Sequence, residues 1–309
     1  MRALMYGEQG LHIADAPDPQ PRDSQVLIEV KAVSLNFGEI AFRSPDARSD
    51  HISGWDAAGI VIRAAADGSG PSAGARVVTF GWSGAWAELR AVDTTEFAVV
   101  PDGVDLGVAS ALPVAGVTAL QAVRRLGPIL GRRVLVTGAS GGVGRYAVRI
   151  AALAGAHVIA SVSKPDRAEG LHELGATEIV LGPTGLSEPV YGVLDTVGGA
   201  QLAEAFYRLE PDGVVQAIGR ASREPTTIDF EVAGTRSARG RLENFNVSTP
   251  FAADLAYLLH LLETGQLDPQ VGWRGPWDQA ERAAEALLAR RIPGKAVLDI
   301  TGPNPVGLA

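Results

Sequence analysis

Hydrophobic residues follow two different periodicities along this 309-residue chain. In the first third, short β-branched runs are bounded by Gly, Pro, Asp and Ser, as in QVLIEVKAVSL (25–35), AAGIVIRAA (57–65) and ARVVTF (75–80). Such runs predict strands, and the polar segment DGSGPSAGA (67–75) predicts a surface turn. This part of the chain therefore predicts an antiparallel β-rich barrel or sandwich.

From about Val117 the pattern changes to alternating helices and strands. We expect helices in TALQAVRRLG, GRYAVRIAALAGA and DRAEGLHELGA, and strands in RRVLVTGA, HVIASVS, EIVLG, VLDTVGG and GVVQAIGR. Alternation at this spacing is typical of a doubly wound parallel sheet. After about Val247, two helical stretches, ADLAYLLHLLETG and QAERAAEALLARR, flank an expected aromatic loop, GWRGPW, and a final strand, KAVLDI, follows.

The composition narrows the possible partners of the chain. The 27 Lys and Arg residues against 35 Asp and Glu residues give a formal net charge of −8, which argues against binding to nucleic acid or to an anionic membrane. The chain has no cysteine, so disulfides, thiol catalysis and thiolate metal sites are excluded. No apolar run has the length of a signal peptide core or a membrane span, and we expect a cytoplasmic protein.

The segment LVTGASGGVG (135–144) predicts a dinucleotide-binding loop. It places glycines between a buried strand and a helix start, where the backbone can approach a pyrophosphate at the positive end of the helix. We expect the loop residues Gly138, Ala139, Ser140, Gly141, Gly142 and Val143 to bind the cofactor.

Two families use glycine patterns that fit this loop. The short-chain dehydrogenase pattern, T-G-x-x-x-G-x-G, would also require an N-terminal position and a later Tyr-x-x-x-Lys motif. Here the loop follows the whole β-rich part, and none of the four later tyrosines has a lysine four residues further on. The short-chain interpretation therefore fails, and G-x-x-G-x-x-G (138–144) is the pattern that applies.

The chain resembles the medium-chain dehydrogenase/reductase family, in its zinc-free quinone-oxidoreductase branch. The resemblance runs through VKAVSLNFGEIAFR (30–43), GWDAAGIV (54–61), ALPVAGVTALQAV (111–123), the segment 134–167, LDTVGG (194–199) and GKAVLDI (294–300). It implies an α/β protein with a GroES-like β-rich catalytic domain and a Rossmann domain. The catalytic domain would span 1–116 and 248–309, the Rossmann domain would span 117–247, and the protein would form a homodimer.

Zinc-dependent members of this family carry an early cysteine ligand and a Gly-His-Glu segment. The matching segment here is Gly54-Trp55-Asp56, and a tryptophan cannot coordinate zinc. No pair of the five histidines has the H-x-x-x-H spacing of a metal site; these are His12, His51, His157, His172 and His260. We therefore expect no metal.

The strand HVIASVS is followed by groups that suit the 2′-phosphate of NADPH. Ser161, Ser163 and Lys164 lie at its end and Arg167 follows, whereas an NAD-specific site would have Asp or Glu there. A basic residue at the Arg167 position is also implied by the resemblance. Alternatively, Lys164 and Arg167 form a solvated helix start, and a tyrosine often found after the next strand is replaced by Gly182.

The resemblance implies that Asn36 lines the nicotinamide pocket and that Thr118 contacts the carboxamide. Ile218 and Gly219 end a Rossmann strand, which places them beside the ring. Asn246 and Lys295 are further candidates for cofactor binding, and a structural role is equally compatible with each. The tryptophans at 55, 82, 86, 273 and 277 could form an apolar substrate wall or belong to the core.

These features predict an NADPH-dependent, zinc-independent reductase that passes hydride to a quinone or an α,β-unsaturated carbonyl. Some relatives place a tyrosine where this chain has Ala41, and no general acid is evident, so we expect solvent to supply the proton. An enoyl reductase for polyketide or fatty-acyl thioesters is an alternative. A non-catalytic NADPH-binding redox sensor or structural partner is a third hypothesis.

Overall fold

Strands form most of the regular structure in the N-terminal part of the chain, strands alternate with helices in the middle, and two helices and two strands follow in the C-terminal part. The computed structural model describes residues 1–7, 10–42 and 52–300. The N-terminal part contains β1 (Arg2–Gly7), β2 (Gly10–Asp15), β3 (Gln25–Leu35), α1 (Phe37–Ala41), β4 (Asp56–Arg63), β5 (Arg76–Phe80), β6 (Leu89–Asp93), β7 (Phe97–Val99), α2 (Leu106–Ser110) and α3 (Pro113–Arg125). The central part contains β8 (Arg133–Thr137), α4 (Gly142–Leu153), β9 (His157–Val162), β10 (Ala176–Leu181), β11 (Val190–Asp195), α5 (Gly199–Tyr207), β12 (Leu209–Ala217), α6 (Phe230–Arg236) and β13 (Arg241–Asn244). The C-terminal part contains α7 (Ala252–Glu263), β14 (Val271–Pro276), α8 (Ala280–Leu288) and β15 (Lys295–Asp299).

The chain divides into two compact units. The first comprises Met1–Val117 and the chain from Thr249 onward, and the second comprises Thr118–Ser248. Among the described residues, no helix is long and apolar enough to cross a membrane. Arg43, the last residue of the motif VKAVSLNFGEIAFR (30–43), lies outside the described residues.

The first unit contains a sheet with the strand order β14-β15-β3-β4-β5-β7, and β6 also pairs with β3. Its pairs are antiparallel except for β14 and β15. Burial in β3 alternates through Val30, as the hydrophobic pattern predicts, and becomes continuous from Ala32 to Leu35. The carboxyl half of β3 is therefore enclosed, and a polar residue there needs protein partners.

The second unit contains a parallel sheet with the order β10-β9-β8-β11-β12-β13. Along the chain, β9 and β10 are added in turn on one side of β8. The next strand, β11, pairs with the other side of β8, so the strand order reverses between β8 and β11. In doubly wound sheets, ligands bind at the carboxyl ends of the strands at such a reversal. The predicted doubly wound α/β architecture is confirmed.

Two predicted elements are wrong. The segment DRAEGLHELGA forms only a short 3₁₀ helix, Pro165–Ala168, followed by turns, because Gly170 and Gly175 adopt positive φ values of 73° and 106° that end helical structure. The expected aromatic loop GWRGPW is strand β14, which pairs with β15. Its glycines mark close approaches rather than a turn: a Cβ at Gly272 would lie 1.8 Å from the carbonyl oxygen of Pro293.

Candidate functional site

The first unit contains a buried polar cluster where three strands meet. Ser34 pairs with Asp56 across β3 and β4, and Leu35 pairs with Ala296 across β3 and β15. The residue that follows β3 is Asn36, and the residue preceding Ala296 is Lys295. The sheet register therefore brings Asn36, Asp56 and Lys295 together. All of them are buried, with exposed fractions of 7%, 0% and 2%.

Lys295 satisfies its ammonium group within the cluster. Its Nζ donates to the carbonyl oxygen of Leu35 at 3.0 Å, to Oδ1 of Asn36 at 2.5 Å and to Oδ2 of Asp56 at 3.3 Å. An ammonium has three donors, and the three acceptors account for all of them. The sequence left Lys295 either as a cofactor-binding residue or in a structural role, and in the structure its ammonium is an internal cation of the first unit.

The side-chain amide of Asn36 is fixed at both ends. Its Oδ1 accepts from Lys295, and its Nδ2 donates to Oδ2 of Asp56 at 2.8 Å. Asp56 also accepts from the Ser34 hydroxyl at 2.9 Å and from the backbone N–H of Val114 at 3.1 Å. Because an amide nitrogen carries two hydrogens, Asn36 has a second one to offer in a fixed direction.

A buried carboxyl group that the sequence analysis missed lies three residues after Asn36. Glu39 accepts from the backbone N–H of Asn36 at 2.7 Å and of Trp55 at 2.5 Å. Burial, and then the charge of Asp56, raise the pKa of Glu39 to about 8, against the opposing effects of Lys295 and the two N–H groups. The sequence signal was the spacing Asn-x-x-Glu at the start of α1, which is a helix-capping pattern.

These residues do not fit a zinc ion. Trp55 stands at the position of the histidine ligand, and the oxygens of Asp56 and Glu39 already accept hydrogen bonds from protein donors. The Lys295 ammonium supplies the positive charge beside Asp56. Within residues 1–7, 10–42 and 52–300, no group of three or more His, Cys, Asp or Glu residues suits a metal ion. One histidine, His51, lies outside the described residues.

In the second unit, the glycine loop connects β8 to α4. Gly138 follows the strand with a φ of 61°, and Gly141 is the N-cap of the 12-residue helix α4. A Cβ at Gly144 would lie 2.2 Å from the carbonyl oxygen of Gly138, so the fold requires glycine there. At Gly141 a Cβ would lie 3.3 Å from the same carbonyl oxygen, which is also a tight contact. A glycine loop at a helix N-terminus lets an anion approach the backbone N–H groups. This geometry fits a dinucleotide pyrophosphate.

Asp195 accepts hydrogen bonds that join the carboxyl ends of three neighbouring strands, β8, β11 and β12. Its side chain accepts from the Thr137 hydroxyl at 2.6 Å and from the Gly198 N–H at 2.8 Å. Its carbonyl oxygen accepts from the N–H groups of Ile218 and Gly219 at 2.7 and 3.1 Å. Burial raises the pKa of Asp195. Asp195 was quoted within the motif LDTVGG, but its hydrogen bonds across the carboxyl edge of the parallel sheet were not predicted.

The other residues that were predicted to contact the cofactor differ in how far they are exposed to solvent. Ser163 and Lys164 are exposed beyond the end of β9, and Arg167 is half-buried in the 3₁₀ helix. Ser161, at the same strand end, has a buried hydroxyl oxygen without a hydrogen-bond partner. Thr118 is buried in α3, and exposed Asn246 uses its carbonyl oxygen to accept from Arg125 at 3.1 Å.

The tryptophans divide between core and surface. Trp86 and Trp277 are buried in the hydrophobic core of the first unit, and Trp273 packs against that core. Trp55 and Trp82 belong to a separate aromatic cluster of the first unit, in which their ring centroids lie 5.4 Å apart. Of the five tryptophans, only this pair therefore lies outside that core, and its part in a substrate wall stays a prediction.

Comparison with known proteins places the chain among dehydrogenases and reductases. The model "Alcohol dehydrogenase GroES-like domain" matches residues 22–102, and "Zinc-binding dehydrogenase" matches residues 174–298. A quinone oxidoreductase from Pseudomonas aeruginosa is 28% identical over 96% of this chain and 97% of its own length. An acrylyl-CoA reductase from Ruegeria pomeroyi is 34% identical over 64% of this chain and 66% of its own.

Solved structures show the same likeness over nearly the whole chain. A mycobacterial protein solved in complex with NADPH has a TM-score of 0.84 and 28% identity, and the alignment covers 97% of this chain and all of that one. A quinone oxidoreductase from Coxiella burnetii has a TM-score of 0.82 and 25% identity, over 97% of this chain and 98% of that one. The predicted combination of a GroES-like and a Rossmann domain is confirmed.

Proposed function

We propose that this chain, which belongs to the quinone-oxidoreductase-like branch of the medium-chain dehydrogenase/reductase family of oxidoreductases, is an NADPH-dependent reductase that works without zinc. Its acceptor would be a quinone or an α,β-unsaturated carbonyl. The similarity to an NADPH-bound structure and to reductases of electron-poor acceptors supports both the cofactor and the acceptor class.

Residues of the second unit would hold the cofactor. The loop 138–143 would present the N-terminus of α4 to the pyrophosphate. Ser163, Lys164 and Arg167 would bind the 2′-phosphate, since a hydroxyl and two cations suit a dianion. Ile218 and Gly219 would border the nicotinamide. When bound, NADPH supplies a hydride, which carries two electrons to the acceptor.

The fixed amide of Asn36 is the observation that supports the proposal most directly. Its Oδ1 is held by Lys295 and its Nδ2 by Asp56, so the remaining N–H hydrogen has a defined direction. This N–H would donate to the carbonyl oxygen of the acceptor and stabilise the negative charge that forms there. Reduction of a quinone takes one hydride and one proton, and water supplies the proton to the hydroquinone oxygen.

A second candidate is reduction of enoyl thioesters. The 34% identity with an acrylyl-CoA reductase favours it, as does the 31% identity with a segment of the erythronolide synthase EryA2 that covers 8% of that protein. In this case hydride would reach the β-carbon of the acceptor and a proton the α-carbon. Asn36 would again donate to the carbonyl oxygen, now that of the thioester.

The test measures NADPH oxidation at 340 nm with 1,4-benzoquinone, methyl vinyl ketone and crotonyl-CoA. We expect the highest kcat/KM with the quinone, and a loss of about 10- to 100-fold in Asn36→Ala with unchanged NADPH affinity. Fastest turnover of crotonyl-CoA would select the second candidate. Tight NADPH binding without oxidation by any acceptor would contradict both and favour a non-catalytic role.

A further inference from the structure

Trp82 is a large hydrophobic residue that remains 58% exposed. It lies in the loop that follows β5, in the first unit. A single exposed hydrophobic side chain needs no explanation by itself. The surroundings of Trp82 are unusual, however, because the loop that presents it is anchored by a buried cation.

Arg90 holds the loop on both sides of Trp82. The residue is 3% exposed, and its guanidinium donates to the carbonyl oxygens of Gly81 at 3.1 Å and Ser83 at 3.0 Å. A third hydrogen bond, of 2.9 Å, reaches the Thr79 hydroxyl on β5. Burial lowers the pKa of Arg90 to about 10, so it is charged at neutral pH. A buried charge is costly unless it is hydrogen-bonded, so Arg90 needs these carbonyl oxygens as partners. The loop backbone on both sides of Trp82 is therefore held in place.

Further hydrogen bonds fix the loop to the segment that precedes β4. The N–H of Gly81 donates to the carbonyl oxygen of Trp55 at 3.1 Å, and the N–H of Gly84 donates to that of Ile52 at 2.9 Å. The loop is therefore anchored from two directions, and Trp82 is presented to solvent from a fixed backbone.

Aromatic rings support Trp82. Its ring meets Phe80 at 4.9 Å and Trp55 at 5.4 Å between centroids, both at 81°. Phe80 in turn stacks on Phe251 at 3.9 Å. These edge-to-face contacts fix the orientation of the indole and leave more than half of the residue open.

The same cluster adjoins the segment that carries Asn36. The N–H of Trp55 donates to Glu39, and the Trp55 ring lies 3.0 Å from where a Cβ of Gly38 would be. Gly38 and Glu39 belong to α1, which begins directly after Asn36. The rigid aromatic surface and the amide donor are thus parts of one local structure in the first unit.

We propose that Trp82 is a stacking platform for the acceptor and makes the enzyme prefer planar, fused-ring quinones over single-ring quinones. This inference rests on the proposed reductase function. The face of an indole is electron-rich and the ring of a quinone is electron-poor, so their stacking is electrostatically favourable. The two fused rings of the indole cover a two- or three-ring acceptor more completely than any smaller side chain could.

The test compares kcat/KM for 1,4-benzoquinone, 1,4-naphthoquinone and 9,10-phenanthrenequinone in wild type, Trp82→Ala and Trp82→Phe. Each acceptor is judged by its ratio of variant to wild type, which cancels the intrinsic reactivity of the quinone. Stacking of a nucleic-acid base on an aromatic side chain contributes about 1–3 kcal/mol. By analogy, we expect kcat/KM for phenanthrenequinone to fall about 10- to 100-fold in Trp82→Ala. With benzoquinone, kcat/KM of Trp82→Ala should fall less than about threefold. For phenanthrenequinone, the loss in Trp82→Phe should be intermediate between wild type and Trp82→Ala.

Phe230→Ala is the matched control, because Phe230 is 79% exposed and lies in the second unit. We expect it to leave the ratios for all three quinones near one. The absence of cysteine removes thiol addition to quinones as a source of error. Equal losses for all three quinones in Trp82→Ala, or no loss with phenanthrenequinone, would overturn the proposal.

Calorimetric titration of the NADP⁺-loaded protein with 9,10-phenanthrenequinone separates this proposal from the proposed function. If the wild type reduces no quinone, the proposed function fails, but the platform is still tested by binding. Weaker binding in Trp82→Ala than in the wild type and Phe230→Ala would support the platform. Equal binding in all three proteins, or no binding to the wild type, would overturn it.

Discussion

Replacing Lys295 by methionine tests whether the buried cluster depends on its internal cation. The Lys295 and Asp56 side chains are 3% and 0% exposed, so the variant would leave the Asp56 carboxylate buried without its ionic partner. Removing one member of a buried ion pair costs about 3–5 kcal/mol. Asp56 keeps its hydrogen bonds from Ser34, Asn36 and Val114, which offset part of the loss. We therefore expect a cost near the lower end, about 3 kcal/mol.

The assay is urea denaturation of a double-mutant cycle made of wild type, Lys295→Met, Asp56→Asn and the double variant. Since the double variant removes both charges, its loss should be smaller than the sum of the single losses by about 1–3 kcal/mol. Lys31→Met is the matched control: Lys31 pairs with Glu29 at 2.5 Å, but both side chains are more than a third exposed. That pair should contribute less than about 1 kcal/mol.

Two results would refute this reasoning about the cluster. One is a loss of unfolding free energy in Lys295→Met that is no larger than in Lys31→Met, and the other is strict additivity in the cycle.

A kinetic measurement adds an independent readout, because Lys295 holds Oδ1 of Asn36. Lys295→Met should lower kcat/KM for a quinone in the same direction as Asn36→Ala, without weakening NADPH binding.

Three further predictions concern the cofactor, the buried acid and zinc. Arg167→Ala should raise the Kd for NADPH about 10- to 100-fold and leave NADH nearly unchanged in fluorescence titrations, and equal losses would indicate a structural role. Because Glu39 has a folded pKa of about 8 against about 4.3 unfolded, it should lower stability as pH rises through that window. Between pH 5 and 8 the wild type should lose about 3–4 kcal/mol relative to Glu39→Gln in urea denaturation, and parallel pH curves would contradict this. The purified protein should keep its activity in chelator, and one tightly bound zinc per chain in metal analysis would refute zinc independence.

The hydrophobic pattern was enough to predict most of the sheets, because local periodicity reports which face of an element is buried. The predicted strand 25–35 coincides with β3, and the glycine loop lies between a strand and a helix as expected. The pattern failed at GWRGPW, where glycine and proline suggested a loop. There the pairing with β15 decides the structure, and the glycines admit backbone and ring contacts that no local rule reveals.

The candidate site was predicted only in part for a similar reason. Asn36 could be nominated by resemblance, but its partners Asp56 and Lys295 lie 20 and 259 residues away along the chain. Only the register of three strands brings them together. Glu39 was closer, and the Asn-x-x-Glu spacing would have placed it at a helix start. Its burial, which perturbs its pKa, depends on tertiary packing that spacing alone cannot give.

The internal cation also bears on which acceptors the site favours. A catalytic zinc keeps an open coordination position through which it polarises a substrate oxygen. The Lys295 ammonium has all three donors bound to Leu35, Asn36 and Asp56, so it has none left for a substrate. In the proposed reductase, polarisation of the substrate oxygen would then be left to a neutral N–H of Asn36, which stabilises negative charge less strongly than a metal ion does. A quinone needs the least such help, because its ring delocalises the incoming charge. In the proposed reductase, a cluster whose residues do not fit a metal would therefore favour electron-poor acceptors over ordinary ketones and aldehydes.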